Sequence, residues 1–349
     1  MAGLDVCTAL ACHGGPPRIG SMSPRRRSSM AVVFAEAHGP NSQAGGKMSL
    51  TTLLDKDTVR GMMTGWPSKP SVHDLPADSK LPEIINAQLL NAYLHTGTAP
   101  ADKIIVIRNG AALHLRAYTT AGDLDPAKVA KWRGRGYTVQ LRTINRWYPP
   151  LYTMCSVIQG ETGYGCYVTG FMTPAGGQGL NHHWDQSMGI IYQVAGRKTW
   201  QLWEPIVEEP HRNHLACNTR PTSDLVDRIK TTTPDQQFDL GPGQVLVLPR
   251  GWMHNVHARG HAQDSIHLTF VVRERTGVWI VEKLAAAAIA STELRRVIPS
   301  ADVVDRTALA ARVDQARSLL MGWLASSACD EMAADLLNAA RTESDVDYA

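Results

Sequence analysis

Two imidazoles and one carboxylate fall in this chain at spacings that suit a metal ion. His183-Trp184-Asp185 sets a histidine and an acid two residues apart, and His254 follows in Pro249-Arg250-Gly251-Trp252-Met253-His254. Side chains alternate between the faces of an extended strand, so residues two apart project together. His183 and Asp185 therefore share a face, with Trp184 on the other. Two histidines and one carboxylate form the facial set that holds Fe(II) in non-haem oxygenases. Such a set leaves coordination positions open, and an open site can bind a co-substrate and oxygen where a closed site is structural. In His254-Asn255-Val256-His257, alternation groups His254 with Val256 and Ala258, and Asn255 with His257. His254 is therefore the expected inward ligand. His182 competes less well, because Trp184 rather than an acid stands two residues beyond it.

The next residue with chemistry to offer is Lys198. Gly189–Val194 reads as a strand, Ala195-Gly196-Arg197 as a turn, and Lys198–Trp203 as the returning strand. Alternation places Lys198 on one face with Trp200 and Leu202. Lysine is rarely buried without a partner. Two readings fit: a side chain that snorkels from the sheet edge to water, or an anion receptor beside the metal. The pattern alone favours neither.

Several of these runs together resemble the JmjC-type cupin dioxygenases, nearest to the ribosomal oxygenases and their bacterial relatives. The runs are Thr173-Pro174-Ala175-Gly176-Gly177-Gln178-Gly179-Leu180, His183-Trp184-Asp185 and Tyr192–Trp200, with Leu248–His254, Ser265–Thr269 and the upstream Arg146–Pro150. The resemblance spans roughly residues 48–300. It implies a mainly β fold with flanking helices: a double-stranded β-helix, or jelly roll, followed by a C-terminal helical region. It also implies Fe(II), 2-oxoglutarate as co-substrate and O2, with ascorbate as reductant in vitro. By the same resemblance His183, Asp185 and His254 are the metal ligands, and Lys198 pairs with the distal carboxylate of 2-oxoglutarate. Relatives often carry Asn and Tyr where this chain has Thr169 and Phe171, and a polar residue where it has Val271. Each lost hydroxyl removes a hydrogen bond contributing roughly 0.5–1.5 kcal/mol. Altered co-substrate binding is thus expected, with Lys198, Thr169, Phe171 and Thr269 lining the pocket.

Composition bounds what surrounds these residues. The chain has 349 residues, of which 44% are hydrophobic, and a formal charge of +3. Residues 1–47 hold five basic and two acidic residues, so residues 48–349 balance at 30 and 30. A body without net charge offers no broad footprint for nucleic acid. No stretch reaches the ~18 uncharged apolar residues of a membrane helix. The six cysteines include no C-x-x-C and do not suggest a disulfide framework, which points to a reducing cytoplasm.

Along the chain, residues 1–47 read as a disordered tail that a start at Met48 would omit, and 48–100 as a helical and mixed segment packing on a barrel. Residues 101–275 read as the catalytic barrel and 276–349 as a helical region that dimerises in relatives. Strands are expected at Lys103–Arg108, Tyr137–Asn145, Cys166–Met172 and Val245–Leu248. Helices are expected from Pro82 to Leu94, after Asp125-Pro126, and over Val278–Ala290, Leu309–Leu324 and Met332–Ala340. The functional expectation is hydroxylation of a C–H bond in a protein or peptide side chain by a homodimer, with demethylation as the outcome at an N-methyl carbon. Rival readings keep the chemistry on a small molecule, keep only metal binding with little turnover, or make the chain a non-oxygenase metal cupin.

Overall fold

The computed structural model describes residues 48–211, 228, 231–326 and 329–342. The expected tail and Cys7, Cys12 and Cys217 lie outside the described residues. Ten strands carry the argument: β1 (Ser71–Asp74), β2 (Ile104–Arg108), β3 (Thr138–Leu141), β4 (Gly165–Thr173), β5 (Met188–Ala195), β6 (Lys198–Trp203), β7 (Gln236–Leu240), β8 (Gln244–Leu248), β9 (Met253–His257) and β10 (Ser265–Arg273). They form two sheets. The larger runs β1-β8-β5-β10-β4-β3-β2, with Ala111–Ala112 at its far edge, and the smaller runs β7-β6-β9. All pairings between these strands are antiparallel. Two facing antiparallel sheets with crossovers between non-consecutive strands are the jelly-roll form of this architecture.

The strands of the large sheet have two unlike faces. Val168, Met172, Leu268, Phe270 and Val272 are buried on the outer face, and the helix Pro149–Thr162 supplies Leu151, Met154, Cys155 and Ile158 as its buried side. The inner face carries Thr169, Phe171 and Thr173 of β4 opposite Thr269, His267 and Ser265 of β10. Polar groups inside a barrel are costly unless satisfied, so this face reads as a binding surface. Apolar filling comes from Ile191, Trp200, Leu202, Leu240, Leu246, Leu248 and Trp252, which form one cluster.

Several local expectations need correction. The helix from Pro82 to Leu94 is two helices, Leu81–Ile84 and Ala87–Thr96. Ile85 is extended and fully buried, and Asn86 caps the second helix by accepting the Leu89 amide. Burying Ile85 thus outweighs the helical pattern. The strand Tyr137–Asn145 stops at Leu141, because Thr143 turns left-handed at φ 48° and begins a short helical turn. The strand β1, missed in the sequence, joins the N-terminal segment to the barrel edge through β8. By contrast, the hairpin β5–β6 turns at Gly196 as expected, with φ 63°. A Cβ there would meet the Asp264 carbonyl oxygen at 2.1 Å, so only glycine fits.

Candidate metal centre and anion pocket

His183 and Asp185 lie between β4 and β5, and β9 holds His254. A pair of backbone bonds fixes one against the other: His183 N donates to His254 O at 3.1 Å and His254 N to His183 O at 2.7 Å. The Gly251 amide holds the Asp185 carbonyl at 2.9 Å. Each ring is then oriented through its other nitrogen. His183 Nδ1 lies 2.7 Å from Asn181 O and His254 Nδ1 3.0 Å from Trp252 O. A carbonyl only accepts, so both Nδ1 atoms carry a proton, and in the neutral ring each Nε2 is the atom with the lone pair. These lone pairs face one carboxylate, with His183 Nε2 4.0 Å from Asp185 Oδ1 and His254 Nε2 3.8 Å from Asp185 Oδ2. The three donor atoms lie within 4.8 Å of one another, the one such group among the described residues. Burial, then the neighbouring His183, pulls the His254 imidazole down to about 4, which keeps it in the neutral, metal-binding form.

His257 points to the opposite face of β9 and is half-buried. The ring of His182 lies 5.4 Å from that of Trp203. Neither belongs to the cluster.

Lys198 does not snorkel. It is 3% exposed, and its ammonium donates to Thr173 Oγ1 at 2.8 Å and meets His267 Nδ1 at 3.3 Å. Phe171 stacks on His267 at 4.8 Å, and the Lys198 Nζ lies 5.8 Å from the Phe171 ring centre. Among the described residues Lys198 has no carboxylate partner. Desolvation alone pulls its amine from 10.5 down to about 7. Burial also holds His267 well below its ordinary value, followed by the charges of Lys198 and His254. His267 is therefore neutral, and its Nδ1 accepts from the lysine. Thr138 donates to Thr173 Oγ1 at 3.1 Å. With both lone pairs of Thr173 occupied, its own hydroxyl proton is left to donate inward.

Thr169 and Thr269 face each other in register, 7% and 8% exposed. Val271 lies abreast of Tyr167 and Gly189 at the opposite end of the inner face from Lys198. Trp200 lies between the two receptors, its ring 5.8 Å from His254 and 5.5 Å from His267. Its buried Nε1 has no hydrogen-bond partner, which marks a place where something polar belongs. The residues present thus suit two groups: a metal ion at the paired Nε2 atoms and the carboxylate, and a small dicarboxylate at the buried amine and the indole. Sequence reasoning missed Thr173, Thr138 and His267 as members of this pocket. The only signals available were the place of Thr173 and His267 in the quoted motifs and of Thr138 in the expected strand Tyr137–Asn145.

Comparison with known proteins agrees with this architecture. Residues 149–278 match the JmjC domain family. That match covers the β4–β10 barrel and the helix before it. Ribosomal oxygenase 2 of Mus musculus is 39% identical over 99 residues, 28% of this chain and 19% of that protein. The bifunctional lysine-specific demethylase and histidyl-hydroxylase NO66 of Drosophila willistoni is 31% identical over 195 residues, 51% of this chain and 23% of its own length. The chain thus spans about a quarter or less of these relatives. In fold, it is similar to the ribosomal oxygenase YcfD of Escherichia coli, solved with cobalt and 2-oxoglutarate, at a TM-score of 0.50 and 14% identity over 84% of this chain and 72% of that one.

Proposed function

We propose that this chain is an Fe(II)- and 2-oxoglutarate-dependent oxygenase that hydroxylates a C–H bond of an amino-acid side chain in a protein or peptide. One observation carries the reading: a three-donor metal site and a buried, carboxylate-free amine share one barrel interior. A lysine costs several kcal/mol to bury unpaired, and a bound carboxylate would offset that cost. His183 and His254 would hold the ion through Nε2 and Asp185 through its carboxylate. Lys198 and Thr173 would receive the distal carboxylate of the co-substrate, with Phe171, Thr169 and Thr269 as walls. When bound, iron and 2-oxoglutarate together activate O2, so that a substrate C–H becomes C–OH while the co-substrate leaves as succinate and carbon dioxide.

The chain's own residues supply order. Two carbonyls fix the ring tautomers, Thr138 aims the Thr173 hydroxyl, and the Trp200–Trp252 cluster keeps water from one side of the site. The names of the relatives, and the cobalt and 2-oxoglutarate in the E. coli neighbour, support the chemistry and a protein substrate. Succinate formation with Fe(II), ascorbate and O2 tests it. The unaltered protein should turn over 2-oxoglutarate, while His183→Ala and Lys198→Ala should not. No turnover, together with no stabilisation by 2-oxoglutarate, would sink the reading.

A further inference from the structure

The neutrality of residues 48–349 averages two unlike regions. Residues 102–146 hold nine basic residues against three acidic ones, so the rest of 48–349 holds 21 against 27. Some of these cations are matched where they stand. Lys103 lies 3.6 Å from Asp102, Lys128 3.8 Å from Asp125, and Arg133 bonds Asp264 at 2.9 Å. Arg108, Arg116, Lys131 and Arg135 are exposed and have no carboxylate partner among the described residues.

The end of one helix gathers them. The helix Pro126–Arg133 closes in a Schellman turn, in which the Tyr137 amide donates to Trp132 O at 3.1 Å and the Gly136 amide to Arg133 O at 2.9 Å. Gly136 takes the left-handed backbone that this turn requires, with φ 85°. The turn sets the half-buried rings of Trp132 and Tyr137 edge to face, 5.1 Å apart. A guanidinium covers each ring. Arg135 lies 5.0 Å from the Trp132 ring centre, and Arg108, at the end of β2, lies 6.0 Å from that of Tyr137. Arg108 also donates to Arg135 O at 3.0 Å, which ties the two together and commits only part of its five-donor fork. Trp132 Nε1 is held by Ala117 O at 3.0 Å, the residue after Arg116, and Lys131 directly precedes Trp132. Two of the cations thus cover the aromatic pair, and two are its neighbours along the chain. The patch stands beside the segment that leads to the metal. The Asn109 and Gly110 amides donate to Gln178 O and Gly179 O at 3.0 and 2.7 Å, and that segment runs on to Asn181 O, which orients His183.

We propose that this patch binds a single-stranded nucleic acid, with bases stacked on the planes of Arg135 and Arg108 and phosphates on Lys131 and Arg116. A guanidinium backed by an aromatic ring is already ordered and offers a flat face to a base. The flanking charges meet the sugar-phosphate chain. An acidic peptide would use the charge and leave the planes idle, so the aromatic backing favours the nucleic acid. The inference stands apart from the oxygenase reading.

Fluorescence anisotropy with the full chain tests it. The labelled probes are oligomers of about twelve units: thymidylate, an abasic deoxyribose phosphate of the same charge, and polyglutamate. Thymidylate should bind about tenfold more tightly than the abasic chain, because only it can stack. Arg135→Lys keeps the charge and removes the plane, so it should lose that preference while holding the abasic chain as before. Log affinity should fall with log salt by about 0.7 per phosphate engaged, so Arg116→Gln and Lys131→Gln together should flatten the slope by about 1.4. These side chains are exposed, and an unchanged thermal unfolding midpoint checks that the variants are folded. Polyglutamate bound as tightly as thymidylate would assign the patch to an acidic protein and overturn the proposal. So would thymidylate bound no better than the abasic chain, or no binding at about 50 mM salt. Binding unaltered in all three variants would overturn it too, because other cations, such as Arg25, Arg26 and Arg27, would then carry it.

Discussion

Replacing Lys198 by methionine should make the ligand-free protein more stable while removing its response to 2-oxoglutarate. The fold pulls this amine from 10.5 to about 7 by desolvation alone. At about 1.36 kcal/mol per pH unit, the charged form costs the fold about 5 kcal/mol below pH 7. The sign follows from proton counts. Between about pH 7 and 10.5 the unfolded chain holds the lysine proton and the folded chain does not, so the wild-type fold gains stability as pH rises through that window. Methionine removes the cost and fills the same space. It also forfeits the bond to Thr173 Oγ1, worth about 1 kcal/mol. The net gain is therefore about 4 kcal/mol at pH 6. At pH 9 the remaining cost is about 2 kcal/mol, which leaves a gain of about 1 kcal/mol. Urea unfolding of both proteins at the two pH values measures this directly. With 2-oxoglutarate at a hundred times its Kd, the unaltered metal-loaded protein should gain about 2.7 kcal/mol and the variant nothing. A variant that is less stable at both pH values, or whose gain does not shrink with pH, would refute the account of Lys198 as a cation held at a cost for its ligand.

Three further outcomes follow from the same geometry. His254→Ala and Asp185→Asn should each abolish the stabilisation that added Zn(II) gives the unaltered protein, about 2.7 kcal/mol at a hundred times Kd, read as a lost thermal shift. Affinity for 2-oxoglutarate should fall about tenfold per pH unit above about 7, with one proton taken up on binding, because the neutral amine must be recharged to meet a carboxylate; calorimetry in buffers of different ionisation enthalpy counts that proton. Gly196→Ala should destabilise by more than the ~1–2 kcal/mol of a left-handed alanine, since its Cβ would overlap the Asp264 carbonyl, and urea unfolding measures the loss.

Where alternation sufficed, the sequence was legible. His183 and Asp185 share a face because strand side chains repeat every two residues, and His254 rather than His257 joins them for the same reason. The β5–β6 hairpin was equally readable, because Gly196 needs its positive φ whatever surrounds it. The helix over residues 82–94 was not. Its local pattern is helical, and only the burial of Ile85 against the rest of the chain breaks it. The strand Ser71–Asp74 was invisible for a similar reason: it exists because β8 offers an edge more than 160 residues away.

By itself the sequence determined the chemistry on offer: which residues can ligate a metal, which lysine shares a face with tryptophan and leucine, and where a chain this apolar must turn. Tertiary structure decided what those residues face. Lys198 could have reached water or the interior, and only the closure of two sheets over it removed its solvent. Thr173, Thr138 and His267 gather at its tip from three strands, through pairings between strands distant in sequence. Residue periodicity carries information over a few positions, whereas register across a sheet is set by how whole strands bury their apolar faces. The ligand types are thus written locally, while the pocket around them exists only once the barrel has closed.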